Sequence, residues 1–299
     1  MKFGSVDNPG SVDLSLPGDH PDTAEVLSKK RTSSAPGVYV GCAKWNRQEL
    51  KNFYPRGTKD ELAYYATRFN AIELNATFYR NFPPEQVTVW YDKVPDNFRF
   101  FPKVNQQISH RKWLADAEDA TEEFLNSVSY FREKLGTIFL QMRGSFSPKH
   151  FKRVQEFIEY WPREIPLAVE LRHPDWFADP GIARDLYRLL EEHNIANVIV
   201  DTAGRRDLMH MRLTNNEAFV RYVGANHPTD YARLDEWVER LRSWVDQGLR
   251  NIHFFVHQNV ERESPELAKY FIQKLKEELK HADCEFPAMD MEEEQQELF

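Results

Sequence analysis

Cysteine is nearly absent from this chain: two residues in 299, Cys42 and Cys284, far apart in sequence. Two distant thiols exclude a disulfide framework and a CxxC zinc pattern, and they fit a reducing, cytoplasmic setting. Long hydrophobic runs are missing too. No stretch approaches the roughly 18 apolar residues that a membrane span needs, and no signal-peptide pattern is read, so no membrane partner is expected. The P-loop, HExxH, GxSxG and the Rossmann glycine fingerprint are all lacking, so neither a nucleotide cofactor nor a serine nucleophile is indicated. Positive charge is in deficit, with 39 Lys and Arg against 47 Asp and Glu and a formal net charge of −8. That balance argues against coating of nucleic acid or an anionic membrane by the whole surface, and it leaves room for a local cationic pocket.

Hydrophobic residues make up 41% and aromatics 13%, enough to bury a large core. The length suits one (β/α)₈ barrel, a fold that typically uses about 250 residues. Residues 1–37 are rich in Ser, Pro, Gly and Asp and read as an arm that wraps the domain or stays partly mobile. Residues 38–280 read as the barrel domain. Residues 281–299, with Glu292-Glu293-Glu294, form an acidic tail expected to be solvated.

Within the central segment, short apolar runs alternate with helical patterns. The runs are Val38–Cys42, Ala71–Asn75, Phe98–Lys103, Thr137–Met142, Pro166–Arg172, Ile195–Asp201, Ala218–Val223 and Asn251–His257. Strands alternating with helices predict parallel βα units. Leu62, Tyr65, Ala66 and Phe69 keep helical spacing, and Leu234, Trp237, Val238, Leu241, Trp244 and Val245 form one apolar stripe. Pro83-Pro84 and Pro148 stand where helices begin, and Asp60, Thr121 and Ser264 lie near starts. The sixth unit, Ala203 to Asn216, lacks an amphipathic pattern and predicts a loop with a short helix.

Side-chain parity points to a barrel with a polar mouth. In Leu167 to Arg172, the residues Leu167, Val169 and Leu171 share one face, while Ala168, Glu170 and Arg172 share the other. Ile72 and Leu74 oppose Glu73 and Asn75; Ile138, Leu140 and Met142 oppose Phe139, Gln141 and Arg143. Val198 and Val200 oppose Asn197, Ile199 and Asp201, and Ile252, Phe254 and Val256 oppose His253, Phe255 and His257. One parity can meet outer helices while the other turns polar near the strand ends, where (β/α)₈ barrels place their active sites. An open doubly wound sheet would instead bury both faces of its central strands.

The chain also resembles the YecE-like family, domain of unknown function 72. The matching pieces are Gly41 to Trp45 with Phe53-Tyr54-Pro55; Glu73, Asn75 and Thr77-Phe78-Tyr79; Phe100 and Lys103; Ile108-Ser109-His110; Gln141; Val169 to Pro174 with Trp176; Asp201-Thr202; and Arg221 with Gly224. They run in order from Val38 to about Leu279, leaving the arm and tail outside. The resemblance implies a TIM-like barrel without an established activity. Three departures, Arg143-Gly144, Val223 and His257-Gln258, fall at the mouth that would set the ligand.

A closed barrel would gather Glu73, Asn75, Lys103, Gln141, Arg143, Glu170, Arg172, Asp201, Arg221 and His257 at one end. Four permanently basic residues against three acidic ones imply an anionic small molecule carrying phosphate or carboxylate. Trp45, Phe78, Tyr79, Trp176 and Tyr222 lie near strand ends, where aromatic faces stack on a sugar or base. The expected catalytic set is Glu73, Glu170, Asp201 and His257. The expected substrate-binding set is Asn75, Lys103, Gln141, Arg143, Arg172, Arg221, Trp45, Tyr79 and Trp176. Each has a second reading. Glu170 and Arg172 also fit a structural ion-pair network. Lys103 fits a phosphate ligand, a base of lowered pKa or a paired lysine. Asp201 fits a loop cap, and His257 a metal ligand, an acid/base group or a hydrogen-bonded barrel residue. His110 and His173 fall in loops.

The function expected first is a hydrolase or lyase acting at the barrel mouth on an anionic phosphate- or sugar-bearing molecule, nucleotide-derived ones included. One version uses a divalent metal held by Glu170, Asp201 and His257. The alternatives are a two-carboxylate glycosidase using Glu73 and Glu170, and a non-catalytic barrel that binds an anion or a nucleic-acid end. Neither the cofactor nor the oligomeric state is set by the sequence.

Overall fold

The computed structural model describes residues 3–29, 35–282, 284 and 286. Its strands are β1 (Gly37–Cys42), β2 (Ala71–Leu74), β3 (Arg99–Pro102), β4 (Ile138–Gln141), β5 (Leu167–Glu170), β6 (Ala196–Asn197), β7 (Ile199–Thr202), β8 (Glu217–Gly224) and β9 (Asn251–Gln258). The last four correspond to three staves, because β6 and β7 are one strand interrupted at Val198. All pairings are parallel, in the orders β3-β2-β1-β9-β8-β7 and β4-β5-β6. Two bridges, Phe100 to Leu135 and Lys103 to Phe139, join the sheets across β3 and β4. On the other side Val198 N–H donates to Val169 O at 3.0 Å. The ring therefore closes as an eight-stave TIM-like barrel.

The helices are α1 (Thr23–Lys29), α2 (Glu61–Arg68), α3 (Ala76–Tyr79), α4 (Pro84–Asp92), α5 (Glu118–Ser129), α6 (Phe151–Tyr160), α7 (Asp175–Ala178), α8 (Pro180–Glu192), α9 (Thr229–Gln247) and α10 (Ser264–Glu278). Asp60 caps α2 by accepting from Ala63 N–H at 3.0 Å, a contact worth about 1 kcal/mol. Pro84 opens α4 and Ser264 opens α10. Thr121 does not cap α5. It lies one turn inside, and its hydroxyl donates back to Ala117 O, because Glu118 already begins the helix. The sixth unit is the short 3₁₀ segment Ala203–Leu208.

Two apolar layers follow from strand alternation. The outer layer packs Ile72, Leu74, Ile138, Leu140, Leu167, Val169, Val220, Ile252 and Phe254 against the helices. The inner layer is Ala71, Phe101, Phe139, Ala168, Ala196, Val198, Val200, Phe219 and Phe255. Its rings touch, with Phe101 to Phe255 at 4.8 Å and Phe219 to Phe255 at 5.3 Å between centroids. This floor excludes water beneath the mouth.

Two expected placements are corrected. Asn75 is not the end of β2; it stands at the start of α3 with helical backbone angles. In the sixth stave the parity is reversed: Val198 and Val200 point inward and Asp201 points out to the helices. The cause is α9, whose Arg233 and Trp237 offer buried partners to a carboxylate on that face.

The described part of the arm lies on the barrel. Asp19 accepts from Arg240 at 2.6 Å and from Trp244 Nε1 at 3.1 Å, and Leu16 N–H donates to Glu236 at 2.8 Å. Most of the acidic tail, apart from residues 281, 282, 284 and 286, lies outside the described residues. Among the described residues no helix is long and apolar enough to cross a membrane.

Candidate functional site at the barrel mouth

Arg221, on β8, sits between the carboxylates at the ends of β2 and β5. Its Nε and Nη2 donate to Glu73 Oε2 and Oε1, each at 2.8 Å, and its Nη1 donates to Glu170 Oε2 at 2.7 Å. The fork geometry of arginine allows this double grip. Arg172, two residues beyond Glu170 on the same inward parity, donates Nε to Glu170 Oε1. Gln141 donates to Glu170 Oε2 at 3.2 Å, and Asn75 to Glu73 Oε1 at 2.8 Å. Both carboxylates are fully buried.

The electrostatics follow. Burial alone would raise the Glu170 carboxyl, but Arg172, Arg221 and Lys103 outweigh it and hold it at about 2. Burial also opposes ionisation of Glu73, and Arg221 with His257 keeps it well below the usual carboxylate range. Both stay ionised at neutral pH. His257 Nε2 lies 3.0 Å from Glu73 Oε2, and its Nδ1 lies 3.6 Å from Glu261 Oε1. Burial pulls its imidazole down, yet Glu73 and Glu261 raise it to about 8. Glu261 was not singled out in the sequence. Its only signal is its place four residues after His257, just past the last strand.

Lys103 is different. Its ammonium is buried, with 5% of the residue exposed, and it donates to Gln141 Oε1 at 2.8 Å. No carboxylate lies within ion-pair distance among the described residues. The Phe78 ring stands 4.5 Å from Nζ. Burial, then the repulsion of Arg221, pushes Lys103 down to about 7 against the pull of Glu170 and Glu73. Buried lysines are seldom left without an anion.

Next to it, a turn of π-helix, Gln107–Arg111, carries Ser109 and His110. Such turns recur at functional sites because they re-aim side chains. Ser109 Oγ lies 2.9 Å from His110 Nδ1, and the His110 ring meets Phe78 edge-on at 4.8 Å. Burial and then Lys103, Arg143 and Arg172 hold His110 at about 4, so it is neutral at pH 7.

The remaining expected residues separate into two groups. Arg143 and Tyr79 are exposed, Tyr79 at 69%. Trp176 is not a ligand platform: it is fully buried against Phe146 and Phe151 and donates to Phe146 O at 2.7 Å. Trp45 packs edge-on against Trp90 at 5.5 Å. Tyr222 faces outward and donates to Asp230 O at 3.0 Å. Asp201 accepts from Arg233 Nη2 and Trp237 Nε1, each at 2.7 Å, and from Arg206 Nη1. Glu170, Asp201 and His257 therefore do not converge. Among the described residues no group of three or more His, Cys, Asp or Glu could hold a metal ion. The donor set expected for a divalent metal does not fit one.

A cavity of about 640 Å³ opens elsewhere, on the flank, lined by His20, Tyr187, His210, Arg212 and residues of α1, α7 and α8. Its charges are largely paired with each other, as in Arg212 with Glu191 and Asp22 and Lys29 with Glu25, so the mouth remains the better site.

A profile of the family described as protein of unknown function DUF72 matches residues 39–292. The UPF0759 protein YecE of Escherichia coli K12 is 28% identical over 261 residues, covering 81% of this chain and 94% of its own length. The UPF0759 protein YunF of Bacillus subtilis is 24% identical, covering 63% and 71%. A DUF72 family protein of Thermotoga maritima has a solved structure that superposes with a TM-score of 0.64 at 24% identity, covering 80% of this chain and 99% of that one. One from Enterococcus faecalis gives 0.64 at 22% identity, covering 82% and 98%. These solved structures support the fold.

Proposed function

The chain belongs to the family described as protein of unknown function DUF72, a membership that brings a fold but no reaction, and we propose from the mouth itself that it is a lyase or hydrolase acting on a small anionic molecule. The observation that carries this reading is Lys103, buried without a carboxylate partner among the cations Arg172, Arg221 and, at the rim, Arg143. In this reading Arg172 and Arg143 hold a phosphate or carboxylate of the ligand, since guanidinium groups match either anion. Lys103, which changes protonation near pH 7, accepts the proton as general base. The Lys103 ammonium then returns that proton to the leaving group, and neutral His110, close enough for the lysine charge to bear on it, can donate an N–H hydrogen bond to the ligand. A cytoplasmic setting goes with this reading and is supported by a chain with only two cysteines, Cys42 and Cys284, which do not pair in a disulfide.

The two-carboxylate glycosidase is less well supported. Such a mechanism needs one protonated carboxyl to donate to the leaving group. Glu73 and Glu170 are both clamped to Arg221 and both held ionised.

The test is a panel of phosphomonoesters, sugar phosphates and 2-oxo acids, with products followed by mass spectrometry. At least one is turned over, with kcat/KM rising through an apparent pKa near 7. Lys103→Met lowers kcat by at least about 100-fold while pyrophosphate binding persists. If ligands bind and none is ever converted, the non-catalytic anion-binding barrel takes the place of this reading.

A further inference from the structure

The anion-binding groups of the mouth are covered on one side by a residue that the barrel does not supply. Phe3, in the arm, lies with its ring centroid 3.8 Å from the Arg172 guanidinium carbon and 5.8 Å from that of Arg205. It also packs against the inner apolar layer of the barrel. Arg172 is left 9% exposed. Arg143, past the end of the neighbouring β4, and Tyr79 in α3 are exposed.

The seat for this cover is specific. Gly4 O accepts from Thr202 Oγ1 at 3.1 Å and from Gly204 N–H at 2.8 Å, the first at the last residue of β7 and the second just past it. Gly4 has a φ of +70°, the left-handed region that favours glycine. A Cβ at Gly4 would fall 2.2 Å from Thr202 Oγ1, and a Cβ at Gly204 would fall 2.9 Å from the Gly4 carbonyl. Arg206 donates to Leu14 O and Ser15 O at 3.2 and 2.6 Å, fixing the far end of the segment. Arg205 Nη2 donates to Arg172 O at 3.0 Å, tying the two arginines under Phe3 together.

We propose that the arm gates the mouth, with Phe3 as a plug that shuts the Arg172 side until residues 3–8 lift away from Thr202 and Gly204. The contact is non-covalent and its polar part is two hydrogen bonds, so the open state is within thermal reach. An anionic ligand that needs the guanidinium then competes with the Phe3 ring, and its apparent affinity falls in proportion to the open fraction. The part of this inference that concerns a ligand rests on the anion reading above; the covering of Arg172 does not. The family match begins at residue 39, so the plug lies outside the matched segment while its seat at Arg172, Thr202 and Gly204 lies within it.

Two variants test it by different routes. Phe3→Ala removes the plug, and Gly204→Ala evicts the arm by contact with Gly4 while leaving Phe3 unchanged. Phenylglyoxal modification of Arg172 is followed by peptide mass mapping, with exposed Arg143 in the same molecule as the reference. Pyrophosphate affinity is measured by calorimetry on the same proteins. Both variants should raise the Arg172 rate relative to Arg143 by about tenfold and tighten pyrophosphate binding by a similar factor, as expected if about a tenth of the molecules are open. An unchanged Arg172 rate in both variants overturns the gate. Weaker pyrophosphate binding in both also overturns it, because Phe3 would then be a wall of the site. A raised Arg172 rate with no pyrophosphate binding in any of the proteins keeps the cover and removes the anion reading instead.

Discussion

Arg221 holds the mouth in one arrangement by gripping two carboxylates from separate staves, β2 and β5. Removing one partner of such a buried pair strands the other charge, so these residues resist substitution whether or not they touch a ligand. His257 adds a titratable member. Its folded value of about 8 lies above the ordinary 6.5, so its contribution to stability is fully present below about pH 6.5 and is lost as pH rises through about 8. Lys103 works the other way: its folded value is lowered to about 7, so stability rises as pH climbs from about 7 towards the ordinary lysine value. Comparing wild type with His257→Gln cancels the Lys103 effect. Denaturant unfolding should show wild type more stable by about 2 kcal/mol at pH 6, with the gap closing by pH 9. A gap of the same size at both pH values would mean that Glu73 and Glu261 do not stabilise the protonated imidazole. At this scale Glu73, Glu170 and Arg172 were legible from parity, since alternation in a strand fixes the face, while Arg221, among apolar neighbours in its run, was marked only by the family resemblance. Phe3 was not legible, because nothing periodic in the arm marks it.

Among the elements, β7 and α9 show where parity misleads. Val198 and Val200 read as the helix-facing set, yet they fill the inner layer while Asp201 meets Arg233 and Trp237. A carboxylate can face a helix layer when that layer brings its own buried cation, and a single strand's sequence carries no trace of the partner. Asp201 is therefore a brace between β7 and α9. Asp201→Asn should cost about 3 kcal/mol of stability, because Arg233 keeps only its 3.3 Å pairing with Asp230 and Arg206 loses its carboxylate, with pyrophosphate affinity in the folded protein within about twofold of wild type. A variant of unchanged stability that binds pyrophosphate tenfold more weakly would return Asp201 to the mouth. The interruption at Val198 was likewise hidden, since the run Ile195 to Asp201 reads as one strand. The short helix α3 took Asn75 out of β2 without breaking its contact with Glu73.

The whole molecule sets a long-range field opposed to its own site. The net charge is −8, while Lys103, Arg143, Arg172, Arg221 and His257 gather at one end. Exposed charges are screened by salt within about 10 Å at 0.1 M, and buried ones far less. Adding salt therefore relieves the repulsion of an incoming anion more than it weakens the site. Stopped-flow association of pyrophosphate should quicken as ionic strength rises from about 0.02 to 0.15 M. A fall over that range would show that the mouth field reaches past the surface and dominates the encounter.

The sequence by itself determined the architecture and most of the ring. Eight apolar runs separated by amphipathic helices admit few parallel arrangements, and local periodicity records which side of an element is buried. Tertiary structure decided the states of those residues and the company they keep. Lys103 is lowered by burial and by Arg221 from another stave, and His257 is raised by Glu73 across the mouth and by Glu261 just past its own strand. Asp201 is drawn outward by a helix some thirty residues later, and Arg172 is covered by an aromatic ring from the far N-terminus. Solvation and Coulomb interactions depend on distance in space, which closure of the barrel sets and the order of residues along the chain does not.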